Sequence, residues 1–222
     1  MGKKSLVIIG ATEFAEIASD YFSKDSEYEV VAFSVNREFI ISNTLKGLPV
    51  VPFEELTSIY PPDQFYLFTA ITYGRLNRLR ESFYLAGKNK GYRFASYISP
   101  HSFVWDNVVI GEDSFVFEDN TIQYNARIGD GVVLWSGNHV GHSAIIEDFC
   151  FISSHVVISG YCKIGAHSFC GVNAALGNNI SIACDSVIAA GAVVTHSCSD
   201  PGKAYAGNPS RIISKSAYDC LP

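Results

Sequence analysis

Six histidines are the residues of this sequence whose chemistry stands out. An imidazole accepts a proton near neutral pH, which suits a general base, and it is also a common metal ligand. Two of the six, His139 and His142, lie three residues apart. The other four are spread along the chain at His101, His155, His167 and His196. A general base needs one histidine, whereas a catalytic zinc needs three converging protein ligands, so the elements that hold these side chains decide between the two.

A repeat of six residues organises the chain from Ile98 to Val194. Every sixth residue is apolar, and all but one are Val, Ile or Leu: Ile98, Val104, Ile110, Val116, Ile122, Ile128, Leu134, Val140, Ile146, Ile152, Ile158, Ile164, Cys170, Leu176, Ile182, Ile188 and Val194. In most repeats a small or compact residue comes four positions after this anchor. The period predicts a β-helix, a coil with three flat faces, in which each anchor points inward and the compact residue turns the corner. Three repeats of six residues make one turn, so residues eighteen positions apart stack on one another at about 4.8 Å.

This stacking separates the histidines. His101 and His155 would lie three turns apart, as would His142 and His196. Three turns at strand spacing are too far apart for two side chains to share one metal ion. The coil therefore favours a site with a single histidine over a metal centre.

Residues 1–96 are predicted to form a Rossmann-like α/β domain. Buried strands alternate with amphipathic helices, which favours a parallel sheet. The predicted strands are 5–10, 28–35, 47–51 and 64–71, and the predicted helices are 12–23, 53–59 and 75–87. A strand that ends in Gly10-Ala11 before a helix suggests that a nucleotide binds at the helix N-terminus. The glycine triplet of a dinucleotide-binding fold is missing, so an α/β domain without a nucleotide is the alternative.

The remainder is predicted to form a β-helix domain over residues 97–199 and a closing segment over residues 200–222. Turn signals occur at residues 201–203 and 207–209. Residues 212–218 are predicted to form a short helix over the open end of the coil, where unpaired backbone groups would otherwise be exposed.

The composition argues against several classes of protein. The chain has 222 residues and a net charge of −6 without a basic stripe, which disfavours nucleic-acid binding. No run of eighteen apolar residues is present, so we expect no membrane span. The six cysteines show no paired metal-ligand spacing, and we expect a reduced, cytoplasmic protein.

Several motifs occur in an order that resembles one acyltransferase family. Leu45-Lys-Gly-Leu-Pro-Val-Val51 precedes Ala70-Ile71, the repeat follows, and the chain closes with Ala206-Gly-Asn-Pro-Ser-Arg-Ile212. The whole chain is similar to the hexapeptide-repeat nucleotide-sugar acyltransferases, which include sialic acid O-acetyltransferase and the bacillosamine and perosamine N-acetyltransferases. The resemblance implies a left-handed β-helix, a homotrimer, and coenzyme A bound along the coil between subunits.

The resemblance also implies that His142 is the general base. Its imidazole would take the proton from an amine that attacks the thioester directly. Stacking predicts Gly160 one turn above His142, which leaves space beside the ring, and Tyr124 one turn below. The family usually has an acid directly after this histidine, and here that residue is Ser143. His139 is the competing base.

Binding residues follow from the same resemblance. The coenzyme A positions include Phe151, which stands where the family has a histidine at the acetyl end. The others are Gly160, Val172 and Ala190. The nucleotide-sugar positions follow three strands of the first domain: Thr12, Glu13, Val35, Asn36 and Thr72.

We therefore expect an acyl-CoA-dependent N-acyltransferase that acts on the amino group of a nucleotide-linked amino sugar in lipopolysaccharide or other surface-glycan synthesis. Acetyl-CoA is the default donor, and no metal is expected. O-acetylation of a sugar is the alternative within the class. Ser143 and Phe151, where family residues are lost, keep open a non-catalytic scaffold or nucleotide sensor. A zinc hydratase of the γ-carbonic anhydrase type also uses this coil, but the separation of the histidines disfavours it.

Overall fold

The computed structural model describes residues 2–221, which form two compact units. The first unit contains the described residues up to Thr72 together with Leu79–Tyr97. The second contains Tyr73–Arg78 together with residues 98–221. None of the helices in the described residues is long and apolar enough to span a membrane.

The first unit is built on a six-stranded sheet. Its elements are β1 (Lys4–Ile9), α1 (Glu13–Asp25), β2 (Tyr28–Val35), β3 (Thr44–Leu45), β4 (Leu48–Pro52), α2 (Leu56–Ile59), β5 (Phe65–Thr69), α3 (Arg78–Asn89) and β6 (Arg93–Phe94), with 3-10 turns at Arg37–Phe39 and Phe53–Glu55. The strand order is β3-β4-β2-β1-β5-β6, and every pairing is parallel except that of β3 with β4. The predicted parallel sheet is confirmed, and its buried strand β1 lies between β2 and β5.

The third helix begins at Arg78 rather than at Arg75, so the predicted helix starts too early. Arg75, Leu76 and Asn77 have φ values of 52°, 50° and 62°, which lie in the left-handed region and cannot belong to a right-handed helix. Leu76 is buried in a small apolar cluster of the second unit. This segment therefore belongs to the second unit, although the chain on both sides of it belongs to the first.

The second unit is a parallel β-helix with three faces. Its two-residue strands are β7 (Tyr97–Ile98), β8 (Phe103–Val104), β9 (Val109–Ile110), β10 (Phe115–Val116), β11 (Thr121–Ile122), β12 (Arg127–Ile128), β13 (Val133–Leu134), β14 (His139–Val140), β15 (Ile145–Ile146), β16 (Phe151–Ile152), β17 (Val157–Ile158), β18 (Lys163–Ile164), β19 (Phe169–Cys170), β20 (Ala175–Leu176), β21 (Ser181–Ile182), β22 (Val187–Ile188) and β23 (Val193–Val194). Each pairs with a strand one turn away, as β14 does with β11 and β17. From Val116 to Val194 every anchor is at most 3% exposed, so the predicted coil is confirmed, although Ile98 at its start is 43% exposed.

The coil has three faces, numbered first to third in chain order. The first face contains β13, β16, β19 and β22, the second contains β14, β17 and β20, and the third contains β15, β18 and β21. The chain passes from the first face to the second, then to the third, and returns to the first one coil further on.

Residues with a left-handed backbone turn the corners. They stand three positions after the anchors, with φ between 54° and 76°: Asp113, Asp119, Asn125, Gly131, Gly137, Ser143, Phe149, His155, Tyr161, His167, Asn173, Asn179, Asp185 and Gly191. Asn, Asp and Gly tolerate this conformation better than other residues. The expectation that the compact residue turns the corner is therefore wrong by one position. The compact residue comes next, and its buried side chain fills the corner, as Ser114 and Ala144 do.

The end of the chain extends the first face. A strand at Lys203–Ala206 pairs in parallel with β22. A further strand at Arg211–Ser216 pairs antiparallel with the strand Lys203–Ala206. Helix is confined to Ala217–Cys220, so the prediction of a helix over residues 212–218 is wrong for its first part. The edge of the sheet offers unpaired backbone groups, and a strand satisfies them where a helix would not.

Candidate active site on the coil and cavity in the first unit

His142 lies at the corner between the second and third faces, after β14 and before β15, and its side chain is exposed. Its backbone is held on two sides. The His142 N–H donates to Oε1 of Gln123 at 3.1 Å, and its carbonyl accepts from the N–H of Tyr161 at 3.0 Å. An exposed imidazole on a fixed backbone can meet a substrate without rearrangement of the coil.

Gly160 lies against the imidazole of His142, as the stacking predicts. A Cβ atom built on Gly160 would be 2.5 Å from Cε1, 2.7 Å from Nε2 and 3.0 Å from Nδ1 of His142. Such distances are shorter than real Cβ contacts, so the ring uses space that only glycine leaves. Tyr161 stands edge-on to the same ring, with centroids 5.0 Å apart and an interplanar angle of 88°.

Ser143 follows His142 at the position where the resemblance leads us to expect an acid. Its Oγ accepts a hydrogen bond of 3.3 Å from Nδ2 of Asn125, one coil away. Within the described residues of the coil, no side chain hydrogen-bonds either ring nitrogen of His142. The imidazole is therefore surrounded by packing contacts and a neutral polar corner.

The other candidate base, His139, projects from β14 on the second face and is half-buried. His167 is 7% exposed and stacks on Phe149, with ring centroids 5.6 Å apart. Its Nε2 lies 3.2 Å from a guanidinium nitrogen of Arg78. Among residues 2–221, no group of three or more His, Cys, Asp or Glu side chains is placed to hold a metal ion. Of the two candidate bases, His142 is the more exposed.

One chain does not bring all the predicted coenzyme A positions together. Gly160 shares the corner of His142. Val172 and Ala190 lie instead at the corner between the first and second faces, after β19 and β22. The carbonyl of Val172 accepts a hydrogen bond from the N–H of Gly191 at 2.8 Å, so these two coils are in contact there. The two groups of positions therefore occupy different edges of the same prism.

Phe151 lies apart from both groups, on the first face. Its side chain is 2% exposed, because Tyr73 and Phe169 pack on it with ring centroids 4.9 Å and 5.7 Å away. So little free surface favours a packing role for Phe151 over contact with a cofactor.

The first unit contains a cavity of about 550 Å³ at the carboxyl ends of β1, β2 and β5. Four of the predicted nucleotide-sugar positions line it: Thr12, Val35, Asn36 and Thr72. The fifth, Glu13, begins α1 and is not among the lining residues. β2 and β5 lie on opposite sides of β1. In an open α/β sheet, ligands usually bind in the crevice at the carboxyl ends of the strands, where the chain order switches from one side of a strand to the other.

Residues that the sequence did not indicate also line this cavity, among them Ser34, Phe39 and Ile41. Ser34 is fully buried, and its Oγ has no hydrogen-bond partner within residues 2–221. Phe39 and Ile41 are 63% and 101% exposed, and they add apolar surface beside a hydroxyl and an amide. Such a lining suits a planar or apolar group that is oriented by a few polar contacts. Two large apolar side chains in the polar stretch after β2 were the available signal in the sequence.

Comparison with known proteins places this geometry among acyltransferases. The family model for the bacterial transferase hexapeptide (six repeats) matches residues 125–160. An acyl-[acyl-carrier-protein]–UDP-N-acetylglucosamine O-acyltransferase from Pseudomonas aeruginosa is 29% identical over 98 residues, which cover 33% of this chain. The match spans only 38% of the length of that relative.

Solved structures match nearly the whole chain. The acetyltransferase domain of PglB from Neisseria gonorrhoeae, in complex with acetyl coenzyme A, is 26% identical with a TM-score of 0.85, and the match covers 96% of this chain and 100% of that one. PerB from Caulobacter crescentus, in complex with CoA and GDP-perosamine, is 25% identical with a TM-score of 0.82, and the match covers 95% and 97%. The resemblance to the hexapeptide-repeat acyltransferases is thereby confirmed.

Proposed function

We propose that this chain is an acyl-CoA-dependent N-acyltransferase that acts on the amino group of a nucleotide-linked amino sugar, with acetyl-CoA as the donor. The observation that carries the proposal is the similarity along almost the entire chain to PglB and PerB, whose structures contain acetyl coenzyme A or CoA with GDP-perosamine. The cavity of the first unit supports binding of the nucleotide part. The exposed His142 supports acyl transfer on the coil.

His142 is the proposed general base. The acceptor nitrogen attacks the thioester carbonyl and loses a proton, which the imidazole takes and then returns to the departing thiolate of coenzyme A. No covalent enzyme intermediate is needed. A backbone N–H of a neighbouring coil is the simplest donor to the tetrahedral oxyanion. Much of the remaining acceleration would come from holding amine and thioester in the correct geometry.

A homotrimer would complete the coenzyme A site. Val172 and Ala190 lie at a different corner from His142 within one chain. A second copy whose corner between the first and second faces meets His142 would unite these positions with Gly160 in one groove. The separation seen in a single chain therefore supports the intersubunit groove that the resemblance implies.

Several finer features belong to the same proposal. We propose a left-handed coil and a Rossmann-like mode of nucleotide binding in the first unit. The sheet order, with β1 between β2 and β5, supports the second of these. All six cysteines are free thiols, which supports a reducing compartment such as the cytoplasm.

O-acylation of a sugar hydroxyl is the second candidate. The observation in its favour is the match of the coil to O-acyltransferases that act on UDP-N-acetylglucosamine. An amine attacks as a neutral nucleophile and loses its proton from the cationic adduct, whereas a hydroxyl must give up its proton as it attacks and so depends more on a strong base. The neutral corner at Ser143 therefore favours the amine acceptor.

A free-thiol release assay tests the proposal. Acetyl-CoA is offered with UDP-, dTDP- and GDP-linked amino sugars, and with matched sugars that carry a hydroxyl in place of the amine. Release with one amine and none with its hydroxyl counterpart is the expected result. Release with hydroxyl sugars alone would establish the second candidate. Binding of coenzyme A without release in any combination would contradict both.

A further inference from the structure

The orientation of His142 needs an explanation, because the contact that the resemblance leads us to expect is absent. Ser143 stands where an acid would be, and its Oγ is engaged by Nδ2 of Asn125 at 3.3 Å. Within the described residues of the coil, no side chain hydrogen-bonds a ring nitrogen of the imidazole. A catalytic base whose ring rotates freely spends little time in a productive geometry, since small misplacements are costly to rate.

Two neighbours restrict the ring instead. The edge that carries Cε1, Nε2 and Nδ1 lies against Gly160, in the space that a Cβ atom would fill. Tyr161 packs on the ring at 88° with centroids 5.0 Å apart, which is the edge-to-face arrangement that aromatic rings prefer. Gly160 therefore limits the imidazole on one side, and the ring of Tyr161 limits it on another.

The position of Tyr161 is fixed by the backbone of the coil. Tyr161 occupies a left-handed corner position with φ of 59°, and its N–H donates to the carbonyl of His142 at 3.0 Å. A bulky residue is unusual in this conformation. The equivalent positions in the same column are Asn125, Ser143 and Asn179, all of which are small polar residues. Within this column a bulky residue therefore stands only at the position beside the imidazole, although Phe149, His155 and His167 occupy left-handed corners of the other columns.

We propose that Tyr161 is the positioning residue for His142, holding the imidazole by ring packing where related enzymes use a charge. The inference rests on the proposed role of His142 as general base. It assigns the effect to the aromatic ring of Tyr161 and not to its hydroxyl.

Two substitutions separate the ring from the hydroxyl and from the backbone. Tyr161→Asn removes the ring but keeps a residue that the left-handed corner accepts, as Asn125 and Asn179 show. Tyr161→Phe keeps the ring and removes the hydroxyl. Tyr161→Asn is expected to lower kcat by about tenfold or more, with KM for acetyl-CoA and the melting temperature nearly unchanged, whereas Tyr161→Phe should stay within about twofold of the parent. Equal losses in both variants, or normal kcat in Tyr161→Asn, would overturn the inference.

A second readout does not depend on turnover. In 13C-histidine-labelled protein, the Cε1–H signal of His142, assigned by its loss in His142→Asn, is expected to carry a ring-current shift from Tyr161. That shift should persist in Tyr161→Phe and disappear in Tyr161→Asn, and an unchanged signal in both would contradict the contact. If the shift behaves as expected but the parent protein acylates no acceptor, the positioning contact stands and the proposed function fails. If the parent is active and Tyr161→Asn is equally active, the function stands and the positioning role fails.

Discussion

At the level of single residues, the proposed base His142 is held by its backbone and by two neighbours. Gln123 and Tyr161 fix its main chain, and Gly160 and the Tyr161 ring confine the imidazole. Packing of this kind orients a ring without supplying a negative charge.

His142→Asn is expected to lower turnover by about a hundredfold or more, because loss of a general base costs about 10²–10⁴ in rate. Coenzyme A affinity and oligomeric state should not change, since the substitution removes no contact on which folding depends. Thiol release gives kcat, and isothermal titration calorimetry gives the affinity for coenzyme A. His139→Asn is the matched control, three residues earlier on β14, and it should keep near-normal kcat. A large loss in the control with normal activity of His142→Asn would move the base to His139.

The sequence alone places Gly160 beside His142 and Asn125 beside Ser143, because one turn of the coil is a fixed number of residues. The same stacking rule cannot place Tyr161 against the imidazole. That contact depends on the direction in which a side chain leaves a left-handed corner, and the repeat carries no information on that direction. The place of the Ser34 hydroxyl beside the cavity could not be predicted from the sequence either, because it depends on how three strands pack together.

At the level of elements, the corners of the coil are stabilised by side chains that reach the next turn. Asn138 is 1% exposed, and its Nδ2 donates to the carbonyl of Trp135. Its Oδ1 accepts from the N–H of Val156 at 2.7 Å. One buried amide therefore satisfies backbone groups of two successive coils, which a small apolar residue at the same corner cannot do.

Asn138→Ala should destabilise the protein by about 1–3 kcal/mol, because the buried N–H of Val156 loses its acceptor. Urea denaturation followed by circular dichroism measures the change. Asn178→Ala, at an exposed corner position, is the control, and it should change stability by less than about 0.5 kcal/mol. Similar losses in the two variants would show that the buried amide adds nothing beyond an ordinary surface residue.

Cys170, the one anchor that is not Val, Ile or Leu, makes the coil sensitive to alkaline pH. Burial raises the pKa of its thiol from 9.0 to about 12. Because the pKa is higher in the folded state, the contribution of this thiol is fully present below pH 9 and is lost as the pH rises towards 12. Between pH 8 and pH 10 the parent should lose about 1.4 kcal/mol more stability than Cys170→Val, which has no ionisable group at that position. Denaturation curves at the two pH values test this, and equal losses in both proteins would contradict it.

At the level of the whole molecule, the proposed binding of the nucleotide and of coenzyme A falls on different units. The cavity belongs to the first unit, whereas His142, Gly160, Val172 and Ala190 belong to the second. A substitution in one unit should therefore change the affinity for one ligand only, when each ligand is titrated alone.

Ser34→Ala is expected to weaken binding of the nucleotide sugar several-fold and to leave coenzyme A affinity unchanged. The same change should leave the free protein as stable as before or slightly more stable, because it removes a buried hydroxyl that has no partner in the described residues. Calorimetric titration with each ligand and a thermal melt measure both effects. Ser19→Ala, in α1 and away from this cavity, is the control. Unchanged nucleotide affinity in Ser34→Ala would remove this hydroxyl from the proposed site.

The coil as a whole could be predicted from the sequence because its period repeats over nearly a hundred residues, so single exceptions such as Cys170 do not obscure it. The conformation of the segment Tyr73–Arg78 could not be predicted from the sequence. Its left-handed residues Arg75, Leu76 and Asn77 have ordinary helix-forming or polar side chains, and local pattern assigned them to the following helix. Their backbone is imposed by burial of Leu76 in the second unit, which is a tertiary effect.

This segment has a consequence for how such a protein could arise by recombination. The chain passes between the two units at Thr72, at Arg78 and again at Tyr97, so no single cut separates them. A gene fusion that exchanged the first 97 residues would also discard Tyr73, whose ring packs on Phe151 and Phe169 of the coil. Any incoming partner would need an aromatic insert of its own at that point. The two units are therefore expected to be inherited together, and new acceptor preferences to come from point changes around the cavity and not from shuffling of domains.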